Sequence, residues 1–241
     1  MVKLLVKDIN NVTNKDLGHR SRLIRKFLDN SSNFSKTEII ELILFIAIPR
    51  KDTKPLAKKL IKSYNNSLLD LFSSSEEKLL NIDGIGSNTI LMLRLIYKLS
   101  IELSVEKIQQ KDILKSFTEL IEYCRLQMSN KKSEELRVIF LNAKNYIIKD
   151  EILFNGTINS VSVHPREILK RCLDLGSTSI VLVHNHPSGD PAPSNEDIEL
   201  TKNIFTILKQ IDIILIDHII ISGNNFVSFK HNNIAPFKSC A

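Results

Sequence analysis

Apolar positions recur every three or four residues through residues 17–28, 37–48, 56–69 and 90–103, the period of helices that bury one face. Pro49 and Pro55 punctuate the second and third of these. Residues 104–116 are polar and lysine-containing, which predicts a linker. Beyond it the pattern changes. Residues 117–128 read as one more helix, and 136–141 and 146–154 as strands joined by a short turn through 143–145. Pro165 suits the first position of a helix that Gly176 closes. Residues 179–183 form a continuous apolar run, the mark of a buried strand. They are followed by an amphipathic helix over 195–210 with Ile198, Thr201, Phe205 and Leu208 on one side. A second buried strand over 213–221 turns through 222–225 into a short strand over 226–229. The pattern predicts two domains. Residues 1–115 are all-helical, and 116–241 form an α/β (α+β) domain around a mixed sheet. No internal repeat is visible.

The 241 residues are 43% hydrophobic and 25% charged, a composition that supports packed cores. The charge is uneven: residues 1–115 carry 20 Lys+Arg against 13 Asp+Glu, and 116–241 carry 13 against 14. The positive excess therefore belongs to the helical half. It fits an acidic partner, nucleic acid first, and equally a solvated lysine-rich surface. Cys124, Cys172 and Cys240 are odd in number and far apart. They make no disulfide or metal framework, and point to a reducing cytoplasm. The opening Met1–Asn10 is broken by Lys3, Lys7 and Asp8 and reads as no signal peptide. The most apolar stretch, 39–48, is too short to span a bilayer.

Candidate chemistry concentrates between His184 and Asp197. His184 and His186 end the strand over 179–183, and in an extended segment residues i and i+2 point to one side. Both imidazoles can thus reach one metal ion. Pro187, Pro191 and Pro193 stiffen the following loop, and Asp197 lies in the first turn of the next helix. Two imidazoles and a carboxylate leave a fourth tetrahedral position open, which is how catalytic zinc is held. Iron or manganese also suit such donors. Each part has a plainer explanation. His-x-His alone is commonly a strand end, and Ser194-x-x-Asp197 alone is a helix-capping pattern.

The combined spacing is more specific: His-x-His, seven residues, Ser, two residues, Asp, here His184, His186, Ser194 and Asp197. It resembles the JAMM (MPN+) motif. The surroundings narrow the resemblance to the RadC family, through 138–140, the turn over 142–145, Glu151 to Thr157, Val163 to Glu167, and Asp217-His218-Ile219-Ile220. The resemblance implies a cytidine-deaminase-like mixed sheet, a Zn2+ cofactor held by His184, His186 and Asp197, and hydrolysis of a peptide or isopeptide bond in a protein or peptide substrate. It also implies an upstream glutamate as general base. Glu134 and Glu135 both precede the strand over 136–141; matching outward from the strand favours Glu134, with Glu135 the alternative. Ser194 would help hold the oxyanion, cap the helix, or both. His218, inside an apolar strand, is more readily a hydrogen-bonded core residue than a ligand, with outer support of the metal as the other option. His164 reads as a helix N-terminal residue, and Asn185 as orienting substrate or only its loop.

In the helical half, Leu79 to Ile90, with Gly84 and Gly86, resembles a helix-hairpin-helix. Such a turn exposes backbone N–H groups at a helix start, a phosphate site. Lys78, Arg94 and Lys98 lie near it in sequence, and Arg50, Lys51, Lys54, Lys58, Lys59 and Lys62 form a second basic region. Many such hairpins are only packing devices. Gly84, Gly86, Lys78 and Arg94 are the candidate DNA contacts. The usual RadC N-terminal signature is poorly matched over 1–60, where His19-Arg20-Ser21-Arg22-Leu23 remains. Three functions compete: a zinc metallopeptidase; a DNA-repair or recombination accessory with a non-catalytic metal site; and a protein-interaction module.

Overall fold

The computed structural model describes residues 18–49, 51–109, 111–129, 131–156 and 164–237. Met1–Asn10, Leu17, Arg50, Thr157, Val163 and Cys240, used in the reading above, lie outside the described residues. The chain divides into two compact units between Lys98 and Leu99. The predicted boundary lay at 115/116. Residues 99–115 fall with the second unit because Ile108 and Ile113 are buried in its core, and the expected linker is helical as far as Gln109.

The first unit contains α1 (His19–Asp29), a 3-10 turn (Ser31–Asn33), α2 (Lys36–Ala47), α3 (Lys54–Ser63), α4 (Leu68–Ser73), α5 (Glu76–Leu80) and the start of α6 (Ser87–Gln109). Ser35 and Glu38 open α2 with a reciprocal capping box. His19 and Arg20 seat α1: His19 meets the buried carboxylate of Glu41 at 2.7 Å, and Arg20 donates to the carbonyls of Ile48 and Pro49. The single helix expected over 56–69 is two. Asn65 and Asn66 take φ of 48° and 61°, left-handed values that end α3 and that asparagine tolerates better than most residues. Ile40, Leu44, Leu60, Leu71, Leu79 and Leu93 anchor this unit's core.

The second unit is built on a five-stranded sheet in the order β2-β1-β3-β4-β5. Its strands are β1 (Glu135–Leu141), β2 (Ile147–Asn155), β3 (Ser179–Asn185), β4 (Ile214–Ser222) and β5 (Asn225–Ser228). Only β3 and β4 run parallel; the crossover that a parallel pair requires contains α9 (Asn195–Lys209). On one face α7 (Phe117–Met128) buries Leu120, Tyr123, Cys124 and Met128 against Ile139, Leu141, Val181, Val183, Ile219 and Ile221. On the other, α8 (Pro165–Leu175) and α9 bury Ile168, Cys172, Leu200, Ile204 and Leu208 against Leu136, Val138, Phe140, Ile180 and Leu182. Alternate residues of β1 and β3 thus serve opposite layers, which is why β3 reads as an unbroken apolar run. Among the described residues no helix is long and apolar enough to cross a membrane.

Candidate metal centre

The strand β3 is buried along its whole length and delivers His184, fully inaccessible, to its C-terminal end. The backbone N–H of His186 donates to Ile221, continuing the pairing with β4 one residue past the strand. The two histidines are therefore held in extended register and share a side, as the i, i+2 spacing requires. Their Nε2 atoms are 2.8 Å apart.

Asp197 reaches the same point from α9. Ser194 is the N-cap of that helix and forms a reciprocal capping box with Asp197. Asp197 Oδ2 accepts hydrogen bonds from the Ser194 N–H and hydroxyl, both at 2.7 Å, and the Asp197 N–H donates back to Ser194 Oγ. The carboxylate is consequently fixed on the first turn, where the positive helix end favours it. Oδ1 lies 3.3 Å from His184 Nε2 and Oδ2 3.4 Å from His186 Nε2. One donor atom from each of the three residues falls within 4.8 Å of the others. Ser194 thus spends its hydroxyl hydrogen on Asp197.

The opposite edges of both imidazoles are also fixed. His186 Nδ1 meets the carbonyl of Asp190 at 2.9 Å; a carbonyl only accepts, so Nδ1 carries the proton and Nε2 presents a lone pair. Gly189, at φ of 97°, makes the turn that brings Asp190 back. For His184 the control runs through three residues. His184 Nδ1 is 2.8 Å from His218 Nε2, His218 Nδ1 is 2.6 Å from Thr201 Oγ1, and Thr201 Oγ1 is 2.5 Å from the carbonyl of Asp197. That carbonyl takes the single hydroxyl hydrogen of Thr201. His218 must then donate from Nδ1 and accept at Nε2, and His184 must donate from Nδ1. His184 Nε2 is left as a second lone pair directed at the centre. Such outer partners set tautomer and ring orientation in metal sites.

Electrostatics follow the same plan. Burial, opposed by Asp197 and aided by His186, lowers the pKa of His184 to about 4. Burial holds His218 well below its ordinary value. The hydrogen bond to Asp197 raises His186 despite its partial burial. Burial alone would raise Asp197, but the two histidines and Ser194 hold it well below the usual carboxylate range. The donor set (two neutral imidazole Nε2 atoms and one ionised carboxylate) fits a divalent metal ion with a position left open.

The two candidate glutamates diverge. Glu135 is buried, 2.9 Å from Lys131 Nζ, and its side chain shares the sheet face of Arg137 and Ile139, toward α7. By strand alternation Glu134 shares the face of Leu136, which pairs with His184, the face on which α9 packs. Its negative charge is felt at His186, adding to the larger pull of the Asp197 hydrogen bond.

The candidate DNA contacts are not gathered in the same way. Gly84 makes the turn between α5 and α6 at φ of 93°, and Gly86 has open space beside it. Lys78 is exposed on α5. Arg94, however, donates to the carbonyls of Phe72 and Ser74, closing the end of α4. His164 is the N-cap of α8 without a side-chain capping bond. In the sequence His218 reads as a core residue with outer support of the metal as the other option, and nothing marks Thr201 as a partner of the site. Neither the adjacency of β4 to β3 nor the partners of Thr201 can be read from spacing.

A strand-end histidine pair and a helix-capping aspartate, brought together at the C-terminal end of the central strand of a mixed sheet, mark a JAMM/MPN-type, metal-dependent hydrolase-like domain. The family model described as a RadC-like JAB domain matches residues 114–234. The chain belongs to the RadC family.

Proposed function

We propose that the second unit is a zinc-dependent metallohydrolase that cleaves peptide or isopeptide bonds. The observation that carries this reading is the convergence of His184 Nε2, His186 Nε2 and the Asp197 carboxylate, each oriented by a dedicated partner. A scaffold has no use for lone pairs arranged in this way. Zinc held there supplies a Lewis acid and makes water a nucleophile at neutral pH. Glu134 would serve as the general base, accepting a proton from the attacking water and passing it to the leaving amine. Ser194 keeps Asp197 in place, and its hydroxyl faces the oxyanion only if it turns from Asp197. The test is elemental analysis of the wild type and of His184→Ala, His186→Ala and Asp197→Ala. About one zinc per chain, lost in each variant, supports the reading and justifies a peptidase screen with Glu134→Gln as the inactive control. No zinc after reconstitution refutes it.

A second reading, nucleic-acid binding by the first unit in a DNA-repair or recombination role, is favoured by one feature. A pocket of about 280 Å³ beside the Gly84 turn is lined by Lys51 and Lys59, together with Thr53, Leu56 and the carboxylates Asp52 and Asp83. Contacts there would be to phosphates, so full-length protein should bind a DNA duplex with an affinity that falls with salt by a log–log slope of about −0.9 per phosphate contacted. Lys51→Glu with Lys59→Glu should flatten that slope; an unchanged slope rules this pocket out.

A further inference from the structure

The residue between the two histidines, Asn185, is 2% exposed and its amide faces the lead into β1 rather than the metal centre. Its Oδ1 accepts from the Glu135 N–H at 2.8 Å, and its Nδ2 donates to the Ser133 carbonyl at 3.0 Å. Those two groups flank one residue, Glu134. A parallel strand residue bonds to its neighbour in the same pattern, taking the carbonyl before and the N–H after the residue it faces. The Asn185 side chain thus supplies one rung of ladder where the pairing of β1 with β3 has stopped at Leu136 and His184. On the far side the carbonyl of Glu134 accepts from the Gly156 N–H at 2.9 Å. The peptide group after Glu134 is therefore fixed from two directions, and the one before it is held by Asn185.

We infer that Asn185 is a positioning residue: it fastens the backbone around Glu134 to the strand end that carries the metal ligands, and so sets the distance between the general base and the metal. Because Asn185 lies between His184 and His186 in sequence, any movement of the ligand pair carries the base with it. The coupling is short, made of two hydrogen bonds to peptide groups, and needs both amide functions. A carbonyl acceptor alone would leave the Ser133 carbonyl unpaired, and a donor alone would leave the Glu135 N–H unpaired. Burial keeps the side chain from substrate. This assignment rests on the reading of Glu134 as the base.

The test is carbon-13 NMR of full-length protein labelled at the glutamate side-chain carboxyl carbon, before and after addition of one equivalent of zinc. The Glu134 resonance is identified by its absence in Glu134→Gln. In the wild type it should shift on adding zinc. In Asn185→Ala, with Asn185→Ser as a second variant if the first folds poorly, zinc should still bind at one per chain by elemental analysis while the Glu134 shift falls to less than half. The Glu135 amide, protected in the wild type, should exchange with solvent faster in the same variants. Retention of the full Glu134 shift in a folded, zinc-loaded Asn185 variant overturns the positioning role. Absence of any Glu134 shift in zinc-loaded wild type overturns instead the reading of Glu134, and the role of Asn185 with it.

Discussion

Zinc binding should displace one proton, not two, across the mildly acid range. Metal ligands must be deprotonated, so every proton that a free ligand carries makes affinity fall tenfold per pH unit, about 1.4 kcal/mol. Three ligands are in question. Asp197 is already ionised, because its pKa lies well below the usual range. His184 is already neutral above about 4, because burial disfavours its cation. Only His186 has a raised pKa, since its cation is held by Asp197. Above the raised His186 value affinity should be flat with pH. Below it, affinity should fall tenfold per unit, and the fall should steepen toward a hundredfold per unit only near the His184 value. The assay is competition against a chromophoric chelator at half-unit steps, with calorimetry in buffers of different ionisation enthalpy to count protons released. Two protons released per zinc at about pH 5.5 would refute the argument, since it would mean that His184 also carries one there.

Three further expectations follow from the same contacts. The depressed pKa of His184 means that the unfolded chain binds a proton the folded chain refuses; stability of the metal-free protein should be full above about 6.5 and should fall as pH drops toward 4, by about 3 kcal/mol from this residue, as read by urea unfolding. His218 acts in the same direction and His186 in the opposite one. Ser194→Ala removes the cap hydroxyl and should lower stability by about 1 kcal/mol, and zinc affinity with it; an unchanged melting temperature and affinity would show that Asp197 does not depend on this bond. Thr201→Val keeps shape but frees His218 to donate from Nε2, which places the His184 proton on the ligand nitrogen. Zinc affinity should weaken about 10-fold or more, and an unaltered value in competition titration would dismiss the three-residue relay.

Much of the second unit is legible in the sequence because its signals are local. The helix over 117–128 is read to the residue, and Pro165 and Gly176 mark both ends of α8. The His-x-His and Ser-x-x-Asp spacings identify the residues that converge, since strand alternation and a capping box are themselves local rules. The helical half is read less well. Asn65 and Asn66 break a helix whose apolar spacing runs on past them, and burial of Ile108 and Ile113 moves residues 99–115 into the second unit. The face of α9 is also shifted: Leu200 and Ile204 are buried with Thr201 and Leu208, while Ile198 and Phe205 are only half-buried.

What the sequence by itself determined is which side chains could hold a metal ion and which element each stands on, because periodicity and capping act over a few residues. Tertiary structure decided which nitrogen of each imidazole faces the centre, which of two adjacent glutamates shares its face, and what Asn185 holds. Those outcomes depend on β4 lying beside β3, on α9 packing over their shared face, and on the pairing of β1 stopping at Leu136. Hydrogen bonds between residues 17 to 52 positions apart have no signature in the spacing of the chain.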